Sequence, residues 1–337
     1  MKALFVGLGS VGQRHLVNFK EIVGNDAEVF AYRSTNHNIL IKDGTGIPCE
    51  SLAEHYKLKE FYDIHEALSV SPDVVFITNP SSKHLEIALV AVQHDCHLFI
   101  EKPLSDTLAG LDSLVKESEK RNSVVMMGYQ SRFHPCYKMV RDILSEEIHG
   151  GVLSAGFEWG TYLPVHHPYE NYQHGYAALK SLGGGVVLGL SHEIDIICSL
   201  WGQPEKVYAV GGKLSSLEMD AEDTVSVLMA FRKDNQKFPV TLSLSYAQTR
   251  EVRKFKVQLD GATLFCDLSS NSVMLFDCLG KVVAEKSFPE HTRNDLFLEE
   301  MNEFLQSVRE RRRPVVSLRD GVESLRLALK IKEMMYE

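Results

Sequence analysis

One stretch near the amino terminus reads Lys2-Ala3-Leu4-Phe5-Val6-Gly7-Leu8-Gly9-Ser10-Val11-Gly12, a short apolar run followed by three spaced glycines. The run Lys2–Val6 is continuously apolar after its first residue, as is usual for a strand buried on both faces of a parallel sheet. The residues that follow, Val11–Phe19, have a helical pattern. The stretch therefore predicts a strand, a tight turn and a helix in succession, the unit from which α/β sheets are built.

The glycines follow the pattern G-x-G-x-x-G, and each has a separate physical task. Gly7 permits the tight turn, Gly9 lets the backbone approach a pyrophosphate, and Gly12 allows close packing of the helix on the strand. The helix amino terminus then directs its free N–H groups at the phosphates. We therefore predict that this loop binds a dinucleotide. The predicted cofactor contacts in the loop are Gly7, Leu8, Gly9, Ser10, Val11 and Gly12.

Further strands and helices alternate through the first part of the chain. The predicted strands are Lys2–Val6, Glu28–Tyr32, Val74–Thr78, His97–Glu101 and Val124–Met127. The predicted helices between them are Val11–Phe19, His84–His94 and Leu108–Arg121. Such alternation predicts a parallel sheet with helices on both faces. We assign residues 1–125 to a Rossmann domain that binds NAD(P).

The second part has a different pattern. A helix is predicted at Val187–Leu200, followed by runs with strand periodicity, and Asp260-Gly261 is a strong hairpin signal. Two helices close the chain, the last at Val322–Met335. Residues 126–337 are therefore predicted to form an α/β domain with a largely antiparallel open sheet, whose last helix can pack back on the first domain.

Composition limits the function classes. The 337 residues, 44% of them hydrophobic, are enough for two ordinary globular domains. A net charge of −9 argues against a general nucleic-acid binder, and no apolar run approaches the ~18 residues of a membrane span. The six cysteines show no CxxC spacing, which fits free thiols in a reducing compartment. We therefore expect a cytoplasmic protein that binds neither nucleic acid nor membranes.

The end of the second strand bears on the choice between NAD and NADP. NAD sites usually place an acid about 20 residues after the glycine loop, on the ribose 2′-hydroxyl. Here the strand ends in Tyr32-Arg33-Ser34-Thr35. Arg33 can pair with a 2′-phosphate, and Ser34 or Thr35 can add a hydrogen bond. The sequence therefore favours NADP(H), with NAD(H) as the alternative.

Four segments together resemble a known family. They are Gly7–His15 (GLGSVGQRH), Thr78–His84 (TNPSSKH), Glu101–Pro103 (EKP) and Gly183–Asp195 (GGGVVLGLSHEID). In combination, and over essentially its whole length, the chain resembles the Gfo/Idh/MocA family of glucose–fructose oxidoreductases and inositol dehydrogenases. The resemblance implies an NAD(P)-dependent oxidoreductase whose C-terminal sheet mediates assembly, here expected to give a homodimer or homotetramer.

The resemblance also implies site residues. Lys102 would lie beside the nicotinamide and the reacting carbon, where an ammonium can stabilise negative charge on the substrate oxygen. Glu101 would orient Lys102 or face the ribose. His192 would be the acid or base that exchanges the hydroxyl proton. The remaining implied cofactor contacts are Thr78, Asn79, Pro80 and His84.

The chain departs from the common family pattern near His192. Many members carry an aspartate three or four residues before this histidine, where this chain has Gly189 and Leu188. Three alternatives stay open. Lys102 and His192 suffice, or Glu193, Tyr176 or a nearby residue substitutes, or redox activity has been lost.

The segment from Trp159 to Tyr176 is rich in rings that suit stacking on a sugar, although ordinary domain packing explains it as well. Its ring-bearing residues include Tyr162, His166, His167, Tyr169, Tyr172 and His174. The predicted substrate contacts are Tyr162, Tyr172, Tyr176, Lys180, Glu193 and Asp195. Tyr176 and Lys180 match the Y-x-x-x-K of short-chain dehydrogenases, but the glycine spacing differs. The histidines lack a consistent cysteine or carboxylate spacing, so we predict no metal.

The sequence thus predicts an oxidoreductase that transfers a hydride between a nicotinamide and a hydroxyl or ketone carbon. The expected substrate is a sugar or sugar derivative, such as a sugar nucleotide or a surface-polysaccharide precursor. The alternative is a non-catalytic dinucleotide-binding sensor on the same fold.

Overall fold

The computed structural model describes residues 1–35, 38–42, 44–166, 168, 170–233 and 235–336. Two residues of the predicted substrate loop, His167 and Tyr169, lie outside the described residues. The described residues form two large sheets, one parallel and one mostly antiparallel, and a separate two-stranded hairpin.

The first sheet is built from the amino-terminal part of the chain. Its elements and those that flank it are β1 (Lys2–Val6), α1 (Ser10–Val23), β2 (Glu28–Tyr32), β3 (Ile39–Lys42), β4 (Thr45–Pro48), α2 (Leu52–Tyr56), β5 (Lys59–Phe61), α3 (Ile64–Ser69), β6 (Val74–Ile77), α4 (His84–Gln93), β7 (His97–Glu101), α5 (Leu111–Lys120), β8 (Val125–Gly128) and α6 (Pro135–Glu146). The strand order is β5-β2-β1-β6-β7-β8, and every pair is parallel. The order reverses between β1 and β6, and such a switch point opens a crevice at the carboxyl ends of the strands.

The second sheet follows, with three helices inserted after its first strand. The elements are β9 (Val152–Tyr162), α7 (Leu163–His166), α8 (Val186–Gly189), α9 (His192–Trp201), β10 (Lys206–Gly212), β11 (Thr224–Lys233), β12 (Gln236–Ser245), β13 (Ala247–Leu259), β14 (Ala262–Asp267), β15 (Ser272–Asp277), β16 (Val282–Ser287), α10 (Arg293–Glu310) and α11 (Leu318–Met335). The strand order is β10-β11-β12-β9-β13-β14-β15-β16, antiparallel except for β12 with β9. The predicted fold class, a Rossmann sheet with a largely antiparallel second sheet, is confirmed.

The second sheet has one covered face and one open face. Along β11 and β12 the side chains alternate between buried and exposed. One row crosses the open face from edge to edge in register. Its members are Tyr208, Leu228, Thr241, Gly156, Lys256, Phe265, Met274 and Glu285. Tyr208, Leu228 and Phe265 are exposed apolar side chains in this row.

The end of the chain returns to the first sheet. Phe304 of α10 packs edge-on against Phe76 of β6 and Phe99 of β7, with ring centroids 5.5 and 5.6 Å apart. The Met127 N–H of β8 donates to the Val316 carbonyl, so the segment before α11 extends the sheet edge. β8 begins at the predicted boundary, residue 125, and is a strand of the first sheet. We propose to place the division between β8 and α6.

The single helix predicted at Val187–Leu200 is wrong. The chain forms α8 and α9, and the segment ending with α8 meets α9 at 56°. The break lies at Leu190–Ser191, after a glycine whose carbonyl accepts a side-chain hydrogen bond from the first domain. Among the described residues no single helix is long and apolar enough to cross a membrane, although this bent pair meets the length and composition test.

Candidate active site

The glycine loop is packed tightly on its inner side and open on its outer side. Gly7 has a φ of +89°, which favours glycine, and its carbonyl accepts a hydrogen bond of 2.8 Å from the Thr78 hydroxyl. A Cβ on Gly12 would lie 2.4 Å from the Gly7 oxygen and 2.6 Å from Thr78 Oγ1. A Cβ on Gly9 would meet nothing within 4 Å among the described residues. The exposed Gly9 backbone thus offers the open cradle that a pyrophosphate needs, at the start of α1.

The other loop residues support this cradle. Ser10 and Val11 begin α1 and are partly exposed. Leu8 is buried, and its carbonyl accepts a hydrogen bond of 2.9 Å from the Gln13 side chain. Gln13 also donates to the Ile39 carbonyl at 2.8 Å and so ties the hairpin β3–β4 to the loop. We did not predict a role for Gln13. A polar side chain on the buried face of α1 is the signal that could have found it.

His84 links the loop after β6, which contains Asn79, to the Glu101–Pro103 segment after β7. One ring nitrogen lies 2.7 Å from the Asn79 carbonyl oxygen and the other 2.8 Å from the Pro103 carbonyl oxygen. The ring is buried, and burial lowers the pKa of His84. The structure therefore places His84 as a tie between two loops. Asn79 and Pro80 are partly exposed at the end of β6, beside Thr78.

Arg33 lies at the end of β2, but its guanidinium is already engaged. The side chain is 5% exposed, and Nη1 donates to Glu60 Oε1 at 2.5 Å and to Asn38 Oδ1 at 3.1 Å. Glu60 belongs to β5, the neighbouring strand. Ser34 is exposed next to Arg33. An acid therefore does stand near the adenosine end of the cleft, on a strand that the sequence analysis did not predict.

Lys102 connects the two domains. Its Nζ donates to the Gly189 carbonyl at 2.6 Å, which satisfies one of the free carbonyls at the end of α8. Glu101 accepts from the Lys102 backbone N–H at 3.1 Å and pairs with His15 at 2.7 Å. Burial lowers the pKa of Lys102 to about 8, with Arg253 and Arg293 acting in the same direction and Glu101 and Glu193 opposing them.

His192 is the first residue of α9, directly after the break that Lys102 contacts. Its ring packs edge-on against Tyr129, with centroids 5.6 Å apart, and lies 6.0 Å from the Trp159 ring. Nδ1 is buried and has no hydrogen-bond partner in the described part of the chain. Burial, reinforced by the charges of Lys102, Arg253 and Arg293, lowers the pKa of His192 well below its usual value, so the imidazole is neutral at pH 7.

The two acids that follow His192 have different surroundings. Asp195 is 0% exposed, and Arg132 binds it with two hydrogen bonds of 2.6 and 2.9 Å. Ser324 of α11 donates a third, at 2.9 Å. This environment makes Asp195 an anchor between α9 and α11. It does not present Asp195 to the cleft.

Glu193 is bound on one oxygen only. Its Oε1 accepts a hydrogen bond of 2.6 Å from Arg253 Nε, while its Oε2 is buried without a partner among the described residues. Arg253 also donates to Ser131 Oγ at 2.8 Å and lies over the Trp159 ring at 4.0 Å. Sequence reasoning missed Arg253, because nothing in β13 distinguishes it from the other strand cations.

The remaining predicted substrate residues lie along β9 and the loop after it. Tyr162 ends β9, and the Tyr172 hydroxyl accepts from the Glu218 N–H at 3.2 Å. Tyr176 and Lys180 belong to separate 3-10 turns, Tyr176–Ala178 and Lys180–Leu182, with extended backbone at Leu179 between them. The Y-x-x-x-K chemistry requires both side chains on one helical face, and the structure does not place them on one. Within the described residues, no group of three or more His, Cys, Asp or Glu side chains could hold a metal ion.

Family models match both sheets. Residues 1–129 match the model of the Gfo/Idh/MocA oxidoreductase family described as an NAD-binding Rossmann fold, and residues 137–264 match the Gfo/Idh/MocA C-terminal domain. The chain belongs to the Gfo/Idh/MocA family. The predicted membership in a family of NAD(P)-dependent oxidoreductases is thereby confirmed.

Several relatives are dehydrogenases of sugars or cyclitols. Myo-inositol 2-dehydrogenase of Thermotoga maritima is 26% identical, over 100% of this chain and 97% of that protein. UDP-N-acetylglucosamine 3-dehydrogenase of Acidithiobacillus ferrooxidans is 26% identical over 63% of this chain and 58% of that protein. A solved structure of the latter has a TM-score of 0.76 at 20% identity, covering 99% of this chain and 97% of that one.

A further solved structure shares the fold more closely. Levoglucosan dehydrogenase, in complex with NADH and levoglucosan, has a TM-score of 0.83 at 16% identity. The match covers 100% of this chain and 97% of that one. At this identity the likeness concerns the fold, which here has the same two-sheet arrangement over the whole chain.

Proposed function

We propose that this family member is an NAD(P)-dependent dehydrogenase or reductase that acts on a CH–OH carbon of a sugar or sugar derivative. One observation carries the proposal. The hydrogen bond from Lys102 to Gly189 brings the end of β7 against the turn that holds His192. A lysine and a histidine from different domains thus meet at the carboxyl end of the parallel sheet, where open α/β sheets bind their ligands.

Lys102 and His192 have different roles at the reacting oxygen of the substrate. Lys102 keeps one donor on Gly189 and has two more for a substrate oxygen, whose developing negative charge the ammonium stabilises. His192 is neutral and therefore able to accept the proton that leaves the hydroxyl. The bound nicotinamide supplies the hydride acceptor or donor. In oxidation the C–H bond breaks with its electron pair, the C=O bond forms, and the hydroxyl proton leaves to His192.

The cofactor would lie between the glycine loop and these side chains. The cradle at Gly9 fits a pyrophosphate. We propose that NADP(H) is preferred, as Arg33 suggested, although only modestly, because Glu60 already neutralises the guanidinium. We propose that Ser34, which is exposed next to Arg33, adds a hydrogen bond to the same phosphate. Thr78, Asn79, Pro80 and Glu101 would form the floor of the cleft, with His84 beneath them.

The substrate would be held on the side of the second domain. Tyr162, Tyr172, Tyr176 and Lys180 remain the proposed contacts, with Glu193 at the reaction end. We leave Asp195 out, because both of its oxygens are bound inside the protein. Relatives named for inositol and for a sugar nucleotide support a substrate with several hydroxyl groups.

The decisive experiment is a turnover screen with purified protein, using NADPH and NADH in both directions. The panel contains cyclitols, free sugars, sugar acids and sugar nucleotides. On the substrate that is found, Lys102→Ala should lower kcat by about 10²–10³, the range for loss of a single oxyanion donor. The cofactor Kd should change little. Unchanged turnover in Lys102→Ala would refute the role of Lys102.

The screen also tests the alternative of a non-catalytic sensor. Such a protein would bind NADPH tightly and turn over nothing in the panel. The departure at Gly189 motivates this alternative, and the retained Lys102 and His192 argue against it.

The assembly state is proposed from the open sheet face. Tyr208, Leu228 and Phe265 expose apolar side chains on the open face of the sheet, which the described residues leave uncovered at these positions, and a second copy of the chain would bury them. We propose a homodimer or homotetramer through this face, in a cytoplasmic protein. Analytical ultracentrifugation of the purified chain and of Leu228→Glu tests the assembly, and the variant should sediment as a smaller species.

A further inference from the structure

The place of the aspartate that many family members carry is closed by packing in this chain. A Cβ on Gly189 would lie 1.8 Å from the Tyr246 hydroxyl oxygen and 3.0 Å from the ring carbon that bears it. The other position, Leu188, is buried in the core. Lys102 therefore meets a backbone carbonyl where a carboxylate would otherwise be offered.

Glu193, the residue after His192 in α9, contributes a buried carboxylate to the same cluster, and its charge and that of Lys102 act on each other. Glu193 is 1% exposed, and Arg253 holds it by Oε1, which leaves Oε2 inside the cluster without a partner among the described residues. Arg253 is itself fixed by Ser131 and by the Trp159 ring, so the carboxylate has little freedom to turn away. A buried oxygen with free lone pairs is costly unless a ligand or a proton donor uses it.

The other acids near Lys102 are less suited to this task. Glu101 accepts hydrogen bonds on both oxygens, from His15 and from the Lys102 N–H. Asp195 is bound twice by Arg132. Glu300 of α10 is fully buried, and burial, together with Glu101 and Asp195, raises its pKa well above the usual value. Burial also raises the pKa of Glu193, but Arg253 and Lys102 oppose that rise, whereas the acids near Glu300 add to its own.

We propose that Glu193, which Arg253 holds in place, is a positioning residue for Lys102. Its negative charge stabilises the Lys102 ammonium, a role that the aspartate absent from this chain would otherwise have. It steadies the ammonium form of Lys102 against the surrounding cations. The assignment rests on the proposed function for its effect on turnover, whereas the coupling of the two charges is a property of the protein alone.

The charges that face this pair come from several elements. The groups that interact electrostatically with Lys102 or Glu193 are Glu101 on β7, His192 on α9, Arg253 on β13 and Arg293 on α10. Tyr129, Arg132, Asp195 and Glu300 form the next layer, where Asp195 interacts with the other three and Glu101 interacts with Glu300. Glu101 and Glu193 raise the pKa of Lys102, and Arg253 and Arg293 lower it. Removing the negative charge of Glu193 should therefore lower the pKa of Lys102, and removing the positive charge of Arg293 should raise it.

The test measures Lys102 directly, in the full-length protein without cofactor. Lysines are labelled with ¹³C at Cε, and the Lys102 signal is assigned by its loss in Lys102→Met and followed through a pH titration. Glu193→Gln should lower the pKa of Lys102 by about one pH unit, the smaller end of the effect of a close opposite charge. Arg293→Gln should raise it. Glu158→Gln, which removes a carboxylate from the open sheet face, should leave it unchanged.

Activity gives a second readout once a substrate is known. Lys102 acts as the ammonium, so kcat/KM falls as the pH rises through its pKa. Because Glu193→Gln lowers that pKa, the falling limb should move to lower pH, and in Arg293→Gln it should move to higher pH. A residue that merely supports the fold would lower the rate without moving the limb.

A Lys102 pKa that is the same in Glu193→Gln and in the unmodified protein would overturn the proposal. If Glu193→Gln does not fold, the reciprocal measurement decides, because coupled groups shift each other. The pKa of Glu193, followed through its ¹³Cδ signal, should rise in Lys102→Met, and an unchanged value would refute the coupling. A coupled pair in a protein that turns over no substrate would sustain this inference and refute the proposed function.

Discussion

The glycine loop and the reaction end of the cleft are built in different ways. The loop is nearly complete within one strand, one turn and the start of one helix. Its distant supports include Thr78, the Tyr32 carbonyl, which accepts from the Gly7 N–H, and the hairpin held by Gln13. The reaction end is assembled from Lys102, the α8–α9 break and Arg253 of β13. A local site is fixed by the order of its residues, whereas an assembled site depends on buried contacts between distant segments. A substitution on the open side of the glycine loop should therefore weaken cofactor binding, whereas a substitution at the reaction end should destabilise the fold.

The largest effect is expected where the assembled site is anchored. Asp195→Asn leaves the Arg132 guanidinium buried without its counter-charge, and breaking a buried pair in this way costs about 3–5 kcal/mol. Urea unfolding followed by tryptophan fluorescence measures the loss, because Trp159 and Trp201 both lie in the second domain.

The matched control for this variant is Glu299→Gln. Glu299 pairs with Lys138 on the surface, with both side chains substantially exposed, and such pairs contribute about 0–1 kcal/mol. Equal losses in Asp195→Asn and Glu299→Gln would show that the Arg132–Asp195 pair does not anchor α9.

The next prediction compares two glycine substitutions in the loop, one expected to reduce stability and the other expected to reduce only cofactor binding. In Gly12→Ala the new methyl group meets the Gly7 carbonyl oxygen and Thr78, so we expect a loss of about 2–3 kcal/mol, as for overpacked interiors, together with loss of cofactor binding. In Gly9→Ala the methyl group meets open space, so the cofactor-free protein should melt at an unchanged temperature.

The two loop variants are compared by thermal melting and by NADPH titration. Gly9→Ala should weaken NADPH binding by at least about tenfold, or 1.4 kcal/mol, because the methyl group occupies the cradle. Undiminished NADPH affinity in Gly9→Ala would place the pyrophosphate elsewhere.

The same contrast explains what the sequence could predict. The order of strand, glycines and helix has local causes, so the Rossmann sheet and the loop geometry at Gly7 and Gly12 follow from adjacent residues. The family resemblance pointed to Lys102 and His192. The partners of these residues are not local. Arg253 lies 60 positions from Glu193, and Glu60 lies 27 positions from Arg33. No periodicity indicates which cation of a strand reaches which acid of a helix.

The broken helix shows a second limit of sequence reasoning. The residues from Val186 to Leu200 are apolar enough for one continuous helix, and the single glycine at Gly189 weakens a helix without being sufficient to end it. The reasons lie in other segments, since Tyr246 of the second sheet fills the space beside Gly189 and Lys102 of the first domain takes its carbonyl. Tertiary contacts of this kind override local preference.

A smaller effect tests whether packing excludes the missing acid. Gly189→Ala should destabilise the protein by about 1–2 kcal/mol, because the methyl group would overlap the Tyr246 hydroxyl. Tyr246→Phe removes that oxygen, so Gly189→Ala should cost clearly less in the Tyr246→Phe background. Unfolding of the four proteins of this double-mutant cycle measures the coupling. Additive losses would mean that Tyr246 does not close the position.

The smallest effect concerns the ion pair between Arg33 and Glu60, at the proposed adenosine end of the cleft. Glu60→Gln removes the carboxylate that binds Arg33 at 2.5 Å, so the 2′-phosphate of NADPH no longer competes with Glu60 for the guanidinium. We expect the Kd of NADPH to fall by about tenfold, or 1.4 kcal/mol, while the Kd of NADH changes little. Arg33→Met should do the reverse, because NADPH then loses its partner and NADH does not. Fluorescence titration of both nucleotides with each variant gives the ratio of affinities, and a ratio that Glu60→Gln leaves unchanged would remove Arg33 from cofactor selection.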